Sequence, residues 1–198
     1  MQTEIEAKFL HMNHDEVRKV LQGIGAERMQ PMRLMRRNNF DFPDHRLQKQ
    51  RNGWVRVRNE GDKITVSYKE LGERTIHGMK EVCVTVDNYE AATQLLEALG
   101  LTSNAYQETR RESWQLGDVQ IELDEWPWLD PFIEIEGPSE QAVRDAAKKM
   151  SLDYTSATFG SVEAIYQDEY DVTDDDIWAL TTMTFDEPVP ALFKRWKV

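Results

Sequence analysis

Polar and apolar positions alternate in most of the chain's short apolar runs. In "EIEAKFL", residues 4–10, Glu4, Glu6 and Lys8 alternate with Ile5, Ala7 and Phe9. In a strand this sets two acids and a base on one face and apolar groups on the other. "GWVRVRNE" opposes Arg56 and Arg58 to Val55 and Val57, and "KITVSYKE" opposes Thr65, Ser67 and Lys69 to Ile64, Val66 and Tyr68. "KEVCVTV" sets Glu81, Cys83 and Thr85 against Val82, Val84 and Val86, and "TRRESW" carries Thr109, Arg111 and Ser113 on one side. "VQIELDE" opposes Gln120, Glu122 and Asp124 to Val119, Ile121 and Leu123, and "FIEIEG" opposes Glu134 and Glu136 to Ile133 and Ile135. Strands are predicted at 3–10, 28–42, 54–59, 62–70, 79–86, 104–115, 118–125 and 131–137, with "NEGD" and Leu116-Gly117-Asp118 as turns.

Helical spacing appears between these runs. Val17, Val20, Leu21 and Ile24 share a face, with Asn13 as a cap and Gly23 and Gly25 as stops. Ala92, Leu95, Leu96 and Leu99 form a second stripe ending at Gly100, and Ala142, Val143, Ala146 and Met150 a third that starts after Pro138 and Ser139. Two short helices are expected within 159–172 and 173–180, the latter capped by Thr173, and the tail is expected to pack through Leu192, Phe193 and Trp196. Each half of the chain reads strand, helix, strand, strand, strand.

Eight half-apolar strands suit an α+β fold: an eight-stranded antiparallel β-barrel, or tunnel, with helices packed outside and a C-terminal helical extension. The polar faces would line the interior; an open sheet with a solvated polar face is the alternative. The expected boundaries are 1–170 for the tunnel domain and 171–198 for an extension packed on it. A length of 198 residues suits one such domain with a substantial core.

A net charge of −12 argues against broad nucleic-acid or anionic-membrane binding, which needs an external basic surface. No run is long and apolar enough to span a bilayer, and no leader pattern opens the chain. Cys83 is the single cysteine, which suits a reducing compartment, so the expected location is cytoplasmic. His11, His14, His45 and His77 show no zinc-ligand spacing with Cys83. No nucleic-acid or membrane partner is expected, and an exposed barrel-side patch would allow a homodimer. The acidic run "YQDEYDVTDDD" reads as a solvated helix and cap, and "WPWL" as hairpin packing, with stacking on a ring at a tunnel entrance as its alternative.

The charges are patterned. Arg56 and Arg58 stand at i, i+2 and present paired forks suited to phosphate oxygens. Acids also pair at Glu4/Glu6, Glu122/Asp124 and Glu134/Glu136. Converging carboxylates repel unless cations lie between them, and oxygen-only ligands suit Mg²⁺ or Mn²⁺. A lumen with acids on one side and bases on another would hold a metal–polyphosphate. In "MRLMRRN", strand parity leaves open whether Arg36 or Arg37 joins the basic lining.

With these residues in order, the sequence resembles the CYTH family, also called triphosphate tunnel metalloenzymes. Glu4, Glu6 and Lys8 match its N-terminal Glu-x-Glu-x-Lys. Arg56 and Arg58 match its paired strand bases, Lys69 its strand-end lysine, and Arg111 its Arg-x-x-aromatic. "ELDEWPWLDPFIEIEG" is similar to its Leu-Asp hairpin followed by Phe-x-Glu-x-Glu, which gives Asp124, Glu134 and Glu136. Thr109 stands where many members carry lysine, and Leu129-Asp130-Pro131 replaces the usual Leu-Gly.

The resemblance covers about residues 3–165. It implies a tunnel binding a small-molecule triphosphate with Mg²⁺ or Mn²⁺. Lys8, Arg56, Arg58, Lys69 and Arg111 would grip the phosphates. Glu4, Glu6, Glu134 and Glu136 would hold metal, with Glu122 and Asp124 beside them. The implied activity is hydrolysis of a triphosphate, inorganic tripolyphosphate first. The alternatives are a class IV-type adenylate cyclase, a thiamine or nucleoside triphosphatase, or a noncatalytic polyphosphate or nucleotide sensor.

Overall fold

The first residues of the chain join the two ends of one curled sheet. In the computed structural model, which describes residues 1–196, β1 (Gln2–Thr3) pairs antiparallel with β6 (Met79–Val86), and β2 (Glu6–Phe9) pairs antiparallel with β9 (Phe132–Glu136). Between them Glu4 N donates to Met79 O at 2.9 Å, while Ile5 O accepts from Gly137 N at 3.0 Å. The predicted 3–10 strand is thus one run split at Glu4 and Ile5, its halves bonded to opposite margins of the sheet.

The other strands are β3 (Glu27–Asp41), β4 (Gly53–Asn59), β5 (Ile64–Leu71), β7 (Thr102–Leu116) and β8 (Val119–Glu125). Their order is β1-β6-β5-β4-β3-β7-β8-β9-β2. Counting the split run once, these are the eight predicted strands, all antiparallel. One further strand was not predicted: β10 (Thr182–Met183) adds parallel to β7.

Helices cover the outer faces. The helices α1 (His14–Gly23) and α4 (Glu140–Lys149) lay Val17, Leu21, Val143, Ala146 and Ala147 on Ile121, Leu123, Ile133 and Ile135. Each such buried valine, leucine or isoleucine side chain contributes about 1.5–3 kcal/mol. Asn13 Oδ1 caps α1 by accepting from Asp15 N and Glu16 N, and Ser139 caps α4, both as the sequence predicts. Over the other wall, α3 (Tyr89–Ala98) packs Ala92 and Leu96 against Phe40 and Val57. Leu95 and Leu99, expected on its apolar face, are exposed, as are Val82 and Val84 on β6.

The C-terminal segment forms its own apolar cluster at one end of the tunnel. From α5 (Glu163–Glu169) and α6 (Asp174–Trp178), Ile165, Tyr166 and Ile177 join Leu129, Phe132, Met183 and Phe193. Thr173 caps α6 in a reciprocal box with Asp176. Of the tail residues expected to pack, Phe193 is buried, whereas Leu192 and Trp196 are about half exposed. Residues 197 and 198 of the expected extension lie outside the described residues. Among the described residues no helix is long and apolar enough to cross a membrane.

The sequence reading has no counterpart for α2 (Arg46–Arg51). Its N-cap residue, His45, makes no side-chain cap; Asp44 Oδ1 accepts from Arg46 N at 3.3 Å, and Asp41, buried at the end of β3, accepts from Leu47 N and Gln48 N at 3.0 Å and from Phe42 N at 2.6 Å. A cap several residues upstream leaves no periodic signal. Asp41→Ala is expected to leave these amides unmet and to lower stability by roughly 1–3 kcal/mol, read as a lower urea midpoint at unchanged slope.

Candidate active site in the tunnel

Cross-strand register decides which charges meet. Lys8 lies opposite Glu134, Glu134 opposite Glu122, and Glu122 opposite Ser113, so one row crosses β2, β9, β8 and β7. The next row sets Glu6 beside Glu136. On the facing wall Arg56 lies between Asn39 and Ser67, Arg58 between Arg37 and Thr65, and Lys69 beside Glu81. Residues directly opposed across a strand pair share a face, so alternation in each strand becomes one continuous charged lining.

Most of these charges are buried and paired. Arg111 makes a bidentate pair with Asp124, at 2.7 Å from Nε and 2.6 Å from Nη2. Lys69 Nζ donates to both oxygens of Glu4, at 2.9 and 2.8 Å. Lys8 Nζ donates to Glu6 and lies 3.5 Å from Glu134. Arg56 Nη2 donates to Glu81 at 3.2 Å, and Arg58 donates to Glu60 at 2.7 Å.

Three carboxylates, Glu6, Glu134 and Glu136, bring one oxygen each within 4.8 Å of one another. Nearby, Glu122 Oε2 is buried without a hydrogen-bond partner. An all-oxygen donor set fits a hard divalent cation. Of the six acids expected to serve a metal, Glu4 and Asp124 stand apart from this cluster, because Lys69 and Arg111 engage both oxygens of each.

Electrostatics follow burial. Glu122 and Glu136 are each pushed up to about 7, mainly by burial; Arg111 opposes this at Glu122, and Glu134 and Glu6 reinforce it at Glu136. Burial also lifts Glu4 to about 8 against the pull of Lys69, with Glu81 hydrogen-bonded to it. Glu81 drops to about 2, since Lys69, the Glu4 hydrogen bond and Arg56 outweigh its burial. Glu134 is likewise held low, with Lys8 and Arg111 overcoming burial. Arg56 falls to about 10 through burial and the adjacent Arg58.

Parity had left Arg36 and Arg37 equal. Arg36 is exposed and pairs with Glu108, whereas Arg37 is buried, lines the cavity and lies 4.4 Å over the Trp126 ring. Its Nη2 donates to Thr109 Oγ1 at 2.8 Å, so Arg37 reaches the place where the family pattern has lysine. Arg110 points outward to Glu125, as its parity requires. Sequence reasoning assigned no role to Glu60 and Glu81, the partners of Arg58 and Arg56. Glu81 was visible on a polar face, but its register with Lys69 was not. Within "WPWL", Trp126 lines the cavity, while Trp128 packs edge-on to Phe193. Trp54 and Trp178 line the cavity too.

The family model for the CYTH domain matches residues 2–163. The chain belongs to the CYTH domain family. No curated protein matches. Among solved structures, this CYTH chain is similar to a candidate adenylate cyclase from Vibrio parahaemolyticus, with a TM-score of 0.72, 18% identity, and coverage of 84% of this chain and 98% of that one. It is also similar to the PH1012 protein of Pyrococcus horikoshii OT3, with a TM-score of 0.63, 23% identity, and coverage of 78% and 93%. A third is HpAC1 from Hippeastrum, a candidate adenylyl cyclase described as having a dominant triphosphatase activity, with a TM-score of 0.60, 12% identity, and coverage of 88% and 94%. At these identities the likeness establishes the CYTH fold and nothing finer.

The raised carboxylates set a pH dependence for the metal-free protein. A carboxyl whose folded pKa exceeds its ordinary 4.5 contributes stability at low pH that is lost as pH rises through the folded value, here about 7 for Glu122 and Glu136 and about 8 for Glu4. Glu81 and Glu134, held below 4.5, contribute stability that is lost as pH falls through their folded values. Urea midpoints measured in chelator should therefore decline between about pH 5 and 8, and Glu136→Gln should make that limb shallower. A flat limb in both proteins would mean that these carboxyls are already ionised when the tunnel is metal-free.

Proposed function

We propose that the chain is a metal-dependent triphosphatase whose first substrate is inorganic tripolyphosphate. The observation that carries this reading is the division of one lumen into an acidic cluster, Glu6, Glu134 and Glu136, and a basic lining, Lys8, Arg37, Arg56, Arg58, Lys69 and Arg111. Polyanion binding alone needs only the basic half. A noncatalytic sensor would leave the acidic half only the neutralisation of Lys8 and Arg111.

Glu6, Glu134 and Glu136 would hold Mg²⁺ or Mn²⁺. When bound, the cation would neutralise phosphate oxygens and lower the pKa of coordinated water. Arg56, Arg58 and Arg37 bind non-bridging oxygens along the chain of phosphates and, with Lys69 and Arg111, stabilise the charge that develops on the leaving pyrophosphate. Lys8, between Glu6 and Glu134, ties the terminal phosphate to the acidic cluster. Water attacks the terminal phosphorus in line, the P–O anhydride bond breaks, and Glu122, whose Oε2 has no partner, accepts the water's proton. The products are orthophosphate and pyrophosphate.

One observation favours a second reading, a triphosphate bearing an organic group. The cavity wall continues from the bases to Trp54, Trp126 and Trp178, which can stack on a ring. ATP and thiamine triphosphate are its two substrates to try, and ATP cyclisation is its variant.

The test is phosphate release from tripolyphosphate, ATP and thiamine triphosphate with Mg²⁺, Mn²⁺ or chelator, with cyclic AMP followed in the ATP reaction. Metal-dependent orthophosphate, fastest from tripolyphosphate, is expected; cyclic AMP with pyrophosphate would move the chain to cyclase chemistry. Binding without turnover would overturn the enzyme reading. Glu136→Gln should weaken metal activation by roughly 10–100-fold. Arg37→Ala should raise KM about tenfold, which corresponds to 1.4 kcal/mol, with a smaller effect on kcat.

A further inference from the structure

Outside the tunnel, three segments distant in sequence meet at His11. They are the β2–α1 junction, the β8–β9 connection with Asp130, and the end of α5 with Asp168 and Glu169. The two ring nitrogens of His11 face different carboxylates: Nδ1 lies 3.2 Å from Asp130 Oδ2, and Nε2 lies 3.2 Å from Asp168 Oδ2. A neutral imidazole has one N–H and one lone pair, so one of these contacts would set lone pair against lone pair. A cation, either a proton or a metal ion, has to occupy that gap.

Glu169 distinguishes the two. Its side chain is buried; Oε1 accepts from Asp130 N at 2.7 Å, but Oε2 makes no hydrogen bond. The nearest cation, Arg195 Nη2, lies 3.0 Å from Oε2 and 3.4 Å from Asp130 Oδ1, off hydrogen-bond geometry for the former. A proton on His11 would serve Asp130 and Asp168 and leave Oε2 with only the ion pair to Arg195, without a hydrogen bond. One ligand atom each from His11, Asp130 and Glu169 lies within 4.8 Å of the others. The 3.2 Å from Nδ1 to Asp130 is the edge of a coordination shell with bonds of roughly 2.0–2.1 Å. Asp168, taking the Nε2–H, would fix the tautomer that turns the Nδ1 lone pair toward the site, as outer carboxylates do for metal-bound histidines.

We propose that His11, Asp130 and Glu169, oriented by Asp168, form a second divalent-cation site that is separate from the tunnel and fastens the C-terminal helices to the β2–α1 junction. One imidazole with carboxylates suits an ion of the borderline class, Zn²⁺ or Co²⁺, better than Mg²⁺. Arg195 is about half exposed and also donates to Tyr170 Oη and Trp128 O at 3.2 Å, so an entering ion competes with it for Oε2 alone. The site does not depend on the triphosphatase reading.

The test is Zn²⁺ binding by calorimetry and equilibrium dialysis on Glu6→Gln/Glu136→Gln protein, with the tunnel cluster weakened. One equivalent is expected. Adding His11→Ala should weaken it roughly tenfold or more, whereas adding Arg195→Ala should tighten it by removing the competing cation. Zn²⁺ should raise the melting temperature of the parent and not of the His11→Ala protein. Matching near-ultraviolet circular dichroism of the two in chelator checks that the variant folds. No binding to the tunnel variant, or the same affinity after His11→Ala, would overturn the site.

Discussion

Charges turned into a closed sheet must neutralise one another, and the rest of this structure depends on how they do so. A carboxylate or guanidinium removed from water costs several kcal/mol unless it is paired, and removing one partner of a buried pair costs roughly 3–5 kcal/mol. Here the pairs run between adjacent or nearly adjacent strands: Arg111 with Asp124, Lys69 with Glu4, Arg56 with Glu81. Two of these three pairs join strands distant in sequence, so the pairing helps to lock the register that the outer apolar faces also demand. The closing run at residues 2–9 carries Glu4, Glu6 and Lys8, so the segment that joins the sheet margins also brings acids to bases on both sides.

The groups left over are informative because most charges of the lining are paired. Arg37 Nε, Arg56 Nε and Glu122 Oε2 are buried without partners, and Arg37 is depressed by burial and by Arg56, Arg58 and Arg111. A polyanion would relieve the bases and a cation the acids. Each would also free the other's partners from internal ion pairs, since a base released by its carboxylate can turn to phosphate. Binding of cation and polyanion is therefore expected to be mutually reinforcing, by the same free energy in both directions. That reciprocity would follow from the paired lumen alone, independent of any reaction.

Much of this was legible in the sequence because side chains in a strand alternate with period two. That rule sorted Arg56 from Val57 and Glu134 from Ile135 without any knowledge of neighbours. It could not say which polar groups would face one another, because register is set by partners far along the chain. Glu81 was placed on a polar face, but its meeting with Arg56 and Lys69 was invisible. Arg36 and Arg37 are adjacent within a strand of 15 residues with register shifts against β7, so parity counted from either end was not decisive. The helix α2 escaped because its cap, Asp41, lies outside it, and the His11 cluster because its members come from residues 11, 130, 168 and 169.

Order along the wall bears on how a triphosphate would lie. Against β8, β9 runs from Glu136 opposite Gln120, through Glu134 opposite Glu122, to Phe132 opposite Asp124, and Trp126 follows just beyond β8. With a terminal phosphate at the acidic cluster, the far end of the proposed substrate would point toward Trp126 and the cavity wall formed by Ile177, Trp178 and Leu180. The last three lie beyond residue 163, where the match to the CYTH domain ends. The charged half of the lumen, which any triphosphate would need, thus comes from the family segment. The half that would distinguish a bare phosphate chain from one carrying a ring comes partly from the extension. For the triphosphatase proposed above, the CYTH match bears more closely on phosphate binding than on the choice of substrate, because the groups that would read the rest of the substrate are not all in the matched segment.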